Sequence, residues 1–579
     1  MKPLRRNRAD GSQPSLLHHY FGYLYRRSSF DRAVLATVLC IFVVSGAIWL
    51  WQYGTNNQTI VPTGGGTLHE GIIGAPRFVN PVLAITRADQ DMVNLIYRGL
   101  YTVDADGTLV PDLAESLTIS EDGRVYNLTL KTDQYWHDAT PITAEDVVYT
   151  IAMVQNPELK SPVRGNWNDV TVELIDTHEL NLVLEEPYTP FIENLTLGIV
   201  PRHLWGSLST DEFPFSQYNT MPVGSGPFRI SEVIRGDTGL IERYTFEVFP
   251  EFSPSPAISG LAIHFFADEV EVRRALESGD ITHTAALDNQ SVAALAENYT
   301  VYTRPLPRVF ALYPNQNRNP ALRDVAARRA LSDTIDRATL IEEVLAGYGE
   351  STALPVPRGY GLATTTSSSS LARATETLLA GGWQQTDAGG WEKTIDDVTV
   401  PLAVTVTTAN VAPFEATAEF VADAWEALGV DVSLALYEQS DLVQAVIRPR
   451  DYELLLFGTD IGRQLDFYPF WHSSQREDPG LNVALYTNIT VDETLEAYRT
   501  TQDTSEQVAL LEDFIAEIRT DQPAIFLFNP QFTYVTRSDI PITIPAQLTR
   551  PSERFATLPA WHIQSESLWP MVINRLENQ

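Results

Sequence analysis

The sequence predicts an α/β protein that follows one membrane-spanning helix. Residues 124–131 alternate between apolar and polar side chains, as expected of a half-buried strand. Residues 414–428 carry an apolar stripe at helical spacing and stop at Gly429, a common helix terminator. Residues 33–51 form a run of 19 positions without a charged side chain. Strand and helix patterns therefore both occur in the globular part, and an apolar segment precedes it.

Length and charge limit the function classes. The chain has 579 residues, enough for two to four domains, and 44% of them are hydrophobic. The formal net charge is −34; the first 57 residues carry +5, so the remainder carries −39. Such an acidic body repels nucleic acid and is typical of soluble extracellular domains. Cys40 is the single cysteine, which excludes a disulfide framework and a thiolate metal site.

The apolar run is long enough to cross a bilayer core of about 30 Å. Arginines precede it and aromatic residues end it, so the positive-inside rule places the N-terminus in the cytoplasm. We expect a cytoplasmic tail over 1–32, a transmembrane helix over 33–53 in contact with the lipid bilayer, and a linker over 54–66. Two alternatives fit less well. A cleaved signal peptide lacks its small-residue site, and a lipidated Cys40 would lie within the apolar run.

Residues 107–151 combine a hairpin with a capped helix. Thr143 and Asp146 have capping-box spacing ahead of an apolar helical stripe. The stretch also contains LVPDLAES at Leu109–Ser116, SEDG at Ser120–Gly123, WHDATP at Trp136–Pro141 and TAEDVV at Thr143–Val148. It closely resembles the family 5 solute-binding proteins of peptide and nickel ABC transporters. Ala139 stands where that family usually has Gly, which is expected to alter a turn.

The resemblance extends from about Leu68 to Tyr534. PVGSGPF at Pro222–Phe228, the run Asn315–Ala338 and QPAIFLF before Asn529 all look like family motifs. The resemblance implies a two-lobe, periplasmic-binding-protein-like fold of type II with an extra inserted domain. On this chain it implies lobe I at 67–96, 222–305 and 525–579, the inserted domain at 97–221, lobe II at 306–524, and crossings near 306–313 and 524–529.

Catalytic motifs are absent from the sequence. It contains no HExxH, GxSxG or P-loop pattern, and its ten histidines are scattered. We therefore expect no enzyme activity; a secreted hydrolase would need a nucleophile and a base that the sequence does not reveal. Without clustered His or Cys ligands, no metal and no cofactor are expected.

The stretch Asp451–Ser474 is the main candidate for a ligand site. An apolar run, Tyr452–Phe457, predicts a buried strand that stops at Gly458 and delivers acids and aromatic side chains into a loop. The alternative is a packed aromatic loop at a strand end. In peptide-binding relatives, the matching passage pairs its backbone with the ligand and supplies an acid that binds the ligand's amine. The resemblance implies the same roles for this stretch. Here Thr459 replaces the family's Trp, and the acid that follows Gly458 is shifted from its position in the family pattern. Asp460 is favoured over Asp466 as the amine-binding acid, although neither residue matches that pattern cleanly.

The resemblance places the other wall of the site near 75–80 and 313–317. Arg77 could meet a ligand carboxylate, or be a surface residue; His472 could line a pocket, or make a structural hydrogen bond. The predicted peptide-binding residues are Arg77, Phe78, Tyr313, Asn315, Asn317, Phe457, Gly458, Thr459, Asp460, Asp466, Trp471 and His472.

The expected function is capture of an oligopeptide outside the cell and delivery to an ABC transporter. Its expected partners are the peptide, the permease subunits with their cytoplasmic ATPase, and the bilayer, with the large domain extracellular. The alternative is an anchored receptor or cell-surface scaffold that keeps the fold without transport. A cleft packed shut by apolar side chains would favour that alternative.

Overall fold

The computed structural model describes residues 28–56, 59–63, 65–357, 368–537, 540 and 542–568. The chain divides into two compact units, Met1–Thr63 with Ser565–Gln579, and Gly64–Gln564. Most of the predicted cytoplasmic tail (1–27) and the predicted end of lobe I (569–579) lie outside the described residues.

Several helices of the described part begin at a capping side chain. Thr143 and Asp146 form the predicted capping box, and their helix begins at Ala144. Numbered α1 to α14 in chain order, the helices are Ser29–Asn56, Arg87–Ile96, Ala144–Gln155, Arg202–Trp205, Glu269–Ser278, Asn289–Leu295, Val325–Thr334, Arg337–Leu345, Leu371–Ala380, Ala412–Glu426, Gln439–Asp441, Tyr468–Trp471, Ile489–Thr500 and Thr504–Asp521. Two 3₁₀ helices matter for the site, Thr189–Thr196 and Pro551–Ala560.

The strands of the described part form one large sheet and several small ones. Numbered β1 to β23 in chain order, they are Thr59–Thr63, Thr67–Ile73, Tyr101–Val103, Leu109–Pro111, Ala114–Ile119, Val125–Leu130, Val170–Leu174, Glu179–Leu184, Phe228–Arg235, Ile241–Val248, Gly260–Phe266, His283–Thr284, Tyr299–Pro305, Arg308–Pro314, Gly349–Ser351, Gln384–Gln385, Trp391–Ile395, Val398–Pro401, Ala403–Ala409, Asp431–Tyr437, Leu454–Asp460, Ile525–Arg537 and Gln564–Leu568.

The first unit contains α1, β1 and β23, and the two strands pair with each other. Gln564, the first residue of β23, is assigned to the second unit. Several apolar side chains of α1 are exposed, among them Val38, Ile41, Phe42 and Val43. A membrane span needs about 20 consecutive, predominantly apolar residues, and no helix among the described residues is long and apolar enough to cross a membrane. The structure therefore does not support the expected transmembrane helix over 33–53, although these residues are helical.

The second unit is built on a 12-stranded sheet. Its order is β20-β19-β21-β14-β22-β12-β2-β11-β10-β9, and β13 and β15 also pair with β22. β22 lies in the middle of this sheet and belongs to both of its sides, because its first residues pair with β14 and residues 531–537 pair with β13. We call the side with β2 and β9–β13 half I, and the side with β14, β15 and β19–β21 half II.

The hydrophobic core follows this division. One cluster covers a face of half I and continues into a four-stranded sheet, β5-β6-β8-β7, and a smaller one lies under α5 and α6. Two further clusters cover the two faces of half II. Because β21 is buried on both faces, its residues Leu454–Leu456 are continuously apolar and inaccessible.

The four-stranded sheet shows the alternation that its sequence predicts. Every second residue of β6 is buried, and the strand pairs with β5 and β8. Ala139, in the turn before α3, has a φ of 68°. The turn therefore keeps the left-handed backbone that Gly adopts without strain, although Ala occupies the position.

The predicted division into two lobes and an inserted domain remains a prediction. The chain passes from half I to half II between β13 and β14, and it returns along β22. Both passages lie in the segments where crossings are expected.

Candidate functional site

A cleft of about 1530 Å³ lies where half I, half II and the four-stranded sheet approach one another. Its walls include the end of α2 and the residues after it, the 3₁₀ helix Thr189–Thr196, residues from Asp460 to Phe470, the end of α13, and the 3₁₀ helix Pro551–Ala560. The cleft is therefore assembled from segments that are far apart in sequence.

The chain turns sharply after β21, and this turn brings it to the cleft. Gly462 and Leu465 have φ angles of 75° and 53°, in the left-handed region. A Cβ atom at Gly462 would lie 3.3 Å from Glu193 Oε2, so the segment closely approaches the 3₁₀ helix Thr189–Thr196. We call residues 461–467 the cleft loop.

Asp460 is the last residue of β21 and lines the cleft. Its Oδ2 accepts a hydrogen bond of 2.9 Å from Arg308 Nη2, and Arg308 is also a lining residue. The Asp460 and Arg308 side chains are 43% and 38% exposed. Because ion pairs this exposed add only about 0–1 kcal/mol, Asp460 can exchange Arg308 for another cation at little cost.

Asp466 also lines the cleft, but its oxygens already have partners. Oδ1 accepts hydrogen bonds from Arg499 Nε at 2.9 Å and from the Tyr468 backbone amide at 3.2 Å. Oδ2 accepts from Arg499 Nη2 and from the Tyr188 hydroxyl, the latter at 3.0 Å. Asp466 therefore joins half II to the wall that follows β8, and it is less available to a ligand than Asp460.

Arg499 lies between two aromatic rings of the cleft. Its guanidinium carbon is 4.0 Å from the ring centre of Tyr468 and 5.0 Å from that of Tyr188. Burial acts to lower the pKa of Arg499, but the hydrogen bonds and charge of Asp466 leave it raised. Burial, together with the nearby Asp466 carboxylate, raises the pKa of Tyr188. The arginine is thus charged and the tyrosine neutral at physiological pH.

Arg463 of the cleft loop joins two other walls. Its Nη2 donates to Glu553 Oε2 at 2.7 Å, and its Nη1 lies 3.7 Å from Glu193 Oε1. The Thr549 backbone amide also donates to Glu553, at 2.7 Å. Burial raises the pKa of Glu553, and the neighbouring charge of Arg463 opposes that shift. A single buried arginine thus holds acids from the 3₁₀ helices on both sides of the cleft.

Of the twelve predicted site residues, Asp460 and Asp466 line the cleft as the structure describes it. The structure places the other ten outside that lining: Arg77, Phe78, Tyr313, Asn315, Asn317, Phe457, Gly458, Thr459, Trp471 and His472. The ligand contacts of these residues remain a prediction.

The residues predicted for the opposite wall make structural contacts. The backbone amides of Arg77 and Phe78 donate to Asp89 Oδ1 at 2.7 and 2.8 Å, near the start of α2. Asn315 is buried and donates to the Arg450 carbonyl at 2.9 Å. Asn317 donates its backbone amide to the Asn315 side chain at 3.1 Å. The side-chain hydrogen bonds of Asn315 explain the choice of asparagine at that position without a ligand.

Tyr313 and Thr459 form a buried pair, with 3.2 Å between their hydroxyl oxygens. Burial raises the pKa of the Tyr313 hydroxyl. Phe457 and Trp471 pack in the core of half II. A Cβ atom at Gly458 would lie 3.0 Å from the Phe310 ring, so this glycine permits close packing between β21 and β14.

His472 makes structural contacts, as the alternative interpretation of this residue predicts. It stacks on Tyr468 at 4.1 Å between ring centres, and its Nδ1 lies 2.8 Å from Ser474 Oγ. Its Nε2 lies 3.3 Å from Glu496 Oε1. No group of three or more His, Cys, Asp or Glu side chains in the described ranges is arranged to hold a metal.

Several lining residues are absent from the sequence prediction: Tyr188, Glu193, Arg308, Arg499 and Glu553. The sequence contains one signal for Tyr188. Residues 180–188 read as a strand that ends in two acids, a proline and a tyrosine, the same pattern that singled out 451–474. Arg499 and Glu553 lie in helical segments whose sequences resemble ordinary exposed helices, so only the fold identifies them.

Comparison with known proteins gives a consistent result. The family model for bacterial extracellular solute-binding proteins, family 5 Middle, matches residues 108–478. The oligopeptide-binding protein AppA of Bacillus subtilis is 25% identical over 485 residues, which are 81% of this chain and 87% of that protein.

Solved structures match at lower identity. The structure of Bacillus subtilis AppA in complex with a nonapeptide superposes with a TM-score of 0.66, at 23% identity, over 87% of this chain and all of that chain. NikZ of Campylobacter jejuni, in complex with Ni(L-His), also gives 0.66 at 23% identity, over 86% of this chain and 99% of that chain. These neighbours support the expected α/β two-lobe, periplasmic-binding-protein-like fold.

Proposed function

Because the chain belongs to the family 5 bacterial extracellular solute-binding proteins, we propose that it captures an oligopeptide in the cleft and delivers it to an ABC transporter. Members of the family are binding proteins, not enzymes, so the expectation of no catalytic activity is confirmed. The family's solute-binding domains lie outside the cytoplasm and serve ABC transporters, and its ligands include peptides, dipeptides and nickel.

The size of the cleft supports a peptide as the ligand. Sites for small molecules typically measure about 300–1,000 Å³, and this cleft measures about 1530 Å³. The extra volume suits a chain of several residues better than a single metal chelate or a dipeptide. An open cleft also argues against the alternative of a scaffold with a cleft packed shut.

Asp460 is the residue that we propose for the ligand's amine. Its carboxylate is partly exposed at the cleft wall, and its present partner Arg308 is equally exposed. A peptide ammonium can replace Arg308, whereas Asp466 would have to give up hydrogen bonds from Arg499 and Tyr188. An unpaired buried charge costs several kcal/mol, so a peptide needs such a partner for its N-terminus.

Native mass spectrometry of the purified full-length chain tests the ligand class, because peptides of mixed sequence should co-purify with it.

Asp460→Asn should weaken binding of a free-amine peptide about tenfold or more, as expected for loss of a charged hydrogen bond. The same peptide with an acetylated N-terminus should bind both proteins equally.

Asp451→Asn is the matched control for Asp460→Asn. Asp451 also pairs with an arginine, Arg318 at 3.0 Å, and is also exposed, but it does not line the cleft. An equal loss in both variants, or no loss at Asp460, would contradict the amine assignment. Co-purification of metal chelates or sugars, without peptides, would contradict the peptide proposal itself.

We also propose that α1 attaches the protein to a membrane. The support is the set of exposed apolar side chains on this helix, which lose contact with water if they enter an apolar phase. Full-length protein should then remain in the membrane fraction after carbonate washing, and a variant without residues 1–57 should be released. Release of both proteins would contradict the attachment.

A further inference from the structure

The walls of the cleft carry an excess of negative charge. Nine carboxylates and four guanidinium groups line it, and the described lining contains no lysine or histidine. The acids are Asp112, Asp169, Glu185, Glu186, Glu193, Asp460, Asp466, Glu496 and Glu553. Arg124 and Arg463, which pair with three of these acids from outside the lining, reduce the excess but do not remove it.

Three of the four lining arginines are already committed to these acids. Arg98 donates to Asp112 and to Gln134, Arg308 to Asp460, and Arg499 to Asp466. Such pairs are close to neutral as units, so they offer little attraction to an anionic ligand. The fourth, Arg550, is an exposed residue at the start of the 3₁₀ helix Pro551–Ala560.

Two of the acids lack a side-chain partner among the described residues. Asp169 precedes β7 and Glu185 follows β8, and the Glu185 backbone amide donates to the Asp169 carbonyl at 3.2 Å. Both are exposed, and both line the same wall of the cleft. The two residues are neighbours across β7 and β8. Like charges at such positions repel each other, and a cation bound near both lowers that repulsion.

One further feature of the same cleft suits a cationic ligand, and another suits a polar ligand of either charge. Tyr188 and Tyr468 already hold the guanidinium of Arg499 over their rings, which shows that this wall accommodates a cation against aromatic faces. Tyr97 lines the cleft, is 5% exposed, and its hydroxyl has no hydrogen-bond partner within the described part of the chain. A buried hydroxyl of this kind lacks an interaction that a polar ligand can supply.

We propose that the cleft selects positively charged ligands, and that its peptides carry lysine or arginine side chains. This inference rests on the proposed peptide-binding function. Acids that line the same cleft add their fields there, so the excess of acids penalises anionic peptides more than neutral ones. The negative charge of the cleft also attracts non-peptide polycations such as polyamines, which carry positive amino groups as lysine side chains do.

Isothermal titration of the full-length chain with three matched peptides tests the proposal: Ala-Lys-Ala-Lys-Ala, Ala-Gln-Ala-Gln-Ala and Ala-Glu-Ala-Glu-Ala. The lysine peptide should bind about tenfold more tightly than the glutamine peptide, and the glutamate peptide should bind most weakly. Raising the salt concentration should narrow the difference, because charges farther apart than about 10 Å are screened at 0.1 M. Spermidine, as a cation without a peptide bond, is titrated in parallel.

The double variant Asp169→Asn, Glu185→Gln should lose several-fold of the preference for the lysine peptide while it still binds the glutamine peptide. Glu419→Gln with Asp423→Asn is the control, since it removes two exposed acids of α10 outside the cleft. Equal binding of all three peptides overturns the charge preference and leaves the peptide function intact. Binding of spermidine alone supports the charge preference and overturns the peptide function. No binding of any probe overturns both.

Discussion

At the scale of single residues, Arg554 is among the most buried charged residues in the described part of the chain. Its side chain is 1% exposed, and it donates to Glu70 at 2.6 and 2.9 Å and to Asp91 at 2.7 and 2.8 Å. Tyr534 donates its hydroxyl to the second oxygen of Glu70 at 2.7 Å. This cluster connects β2, α2, β22 and the 3₁₀ helix Pro551–Ala560, so it fixes one wall of the cleft to the sheet of half I.

Replacing Arg554 should be among the most destabilising single changes. Arg554→Met leaves two buried carboxylates without their hydrogen-bonded counter-ion, which costs about 3–5 kcal/mol of unfolding free energy. Urea denaturation followed by tryptophan fluorescence measures this loss. Arg229→Gln is the control: it breaks an exposed pair with Glu247 and should cost about 1 kcal/mol or less. Equal effects in the two variants would contradict the role of the buried cluster.

His137 makes folding stability depend on pH. Burial lowers its pKa to about 4. Its Nδ1 accepts a hydrogen bond from the Gly224 backbone amide, and its Nε2 lies 3.0 Å from the Gly226 carbonyl, which fits a neutral ring protonated at Nε2. Protonation of Nδ1 would remove the bond from Gly224. The unfolded chain, in which histidine has a pKa of about 6.5, therefore binds protons more readily than the folded one.

The expected result is a loss of stability as pH falls from about 6.5 towards 4. The share of His137 is on the order of 2 kcal/mol between pH 7 and pH 5. Thermal unfolding at pH 7 and pH 5 should show a smaller difference in His137→Gln than in the unchanged protein. His203→Gln, at an exposed histidine paired with Asp138, should keep the full difference. An unchanged pH dependence in His137→Gln would show that this ring does not cause it.

At the scale of elements, the cleft loop joins half II to the two 3₁₀ helices across the cleft. Arg463 makes that connection through Glu553 and Glu193, and Asp466 makes a second one through Tyr188. The Thr189 hydroxyl also donates to the Thr501 carbonyl at 3.1 Å, just beyond α13. These contacts hold the cleft walls together, so the loop controls how readily they separate.

Arg463→Gln should loosen this connection by leaving Glu193 and Glu553 without their shared counter-ion. Burial raises the pKa of Glu553 already, and loss of Arg463 should raise it further. A raised carboxyl pKa penalises the folded state above that pKa, so the variant should be more destabilised at pH 8 than at pH 5. Thermal unfolding at both pH values measures this. Arg463→Gln combined with Glu553→Gln should recover part of the loss at pH 8; no recovery would contradict the pairing.

At the scale of the second unit, β22 and the β13–β14 connection are the covalent links that join the two halves of the sheet in the described residues. A cleft between two halves with few connections suits a hinge motion. A ligand that contacts both halves would stabilise a closed arrangement by its differential affinity for that state.

Small-angle X-ray scattering of the full-length chain tests closure. A bound lysine peptide should lower the radius of gyration of Arg463→Gln more than that of the unchanged protein, because the variant is expected to start more open. The control is Arg318→Gln, which breaks the exposed pair with Asp451 away from the cleft. An identical change in all three proteins would show that the Arg463 contacts do not hold the cleft closed.

The sequence predicted much of the local structure. The alternation of β6, the capping box of α3 and the buried strand β21 are all visible within a few residues of sequence, although β21 continues to Asp460, past the predicted stop at Gly458. Such features depend on neighbours along the chain, whose spacing alone sets which face is buried. The likeness over Leu109–Val148 then indicated the family, and the family model confirms it.

The candidate site was predicted only at its edge. The stretch 451–474 led to Asp460 and Asp466, but ten other predicted residues lie outside the cleft lining. Polar residues such as Asn315 satisfy backbone groups of the fold, and their sequences do not distinguish that task from ligand binding.

By itself, therefore, the sequence determined the α/β class, the family and the position of the strand that supplies Asp460. The tertiary structure decided which charges meet: Arg463 with Glu553, Asp466 with Arg499 and Tyr188, and Arg554 with Glu70. The last of these pairs joins residues 484 positions apart. Local spacing cannot specify such contacts, because they depend on how distant segments pack, and that packing sets the charge of the cleft.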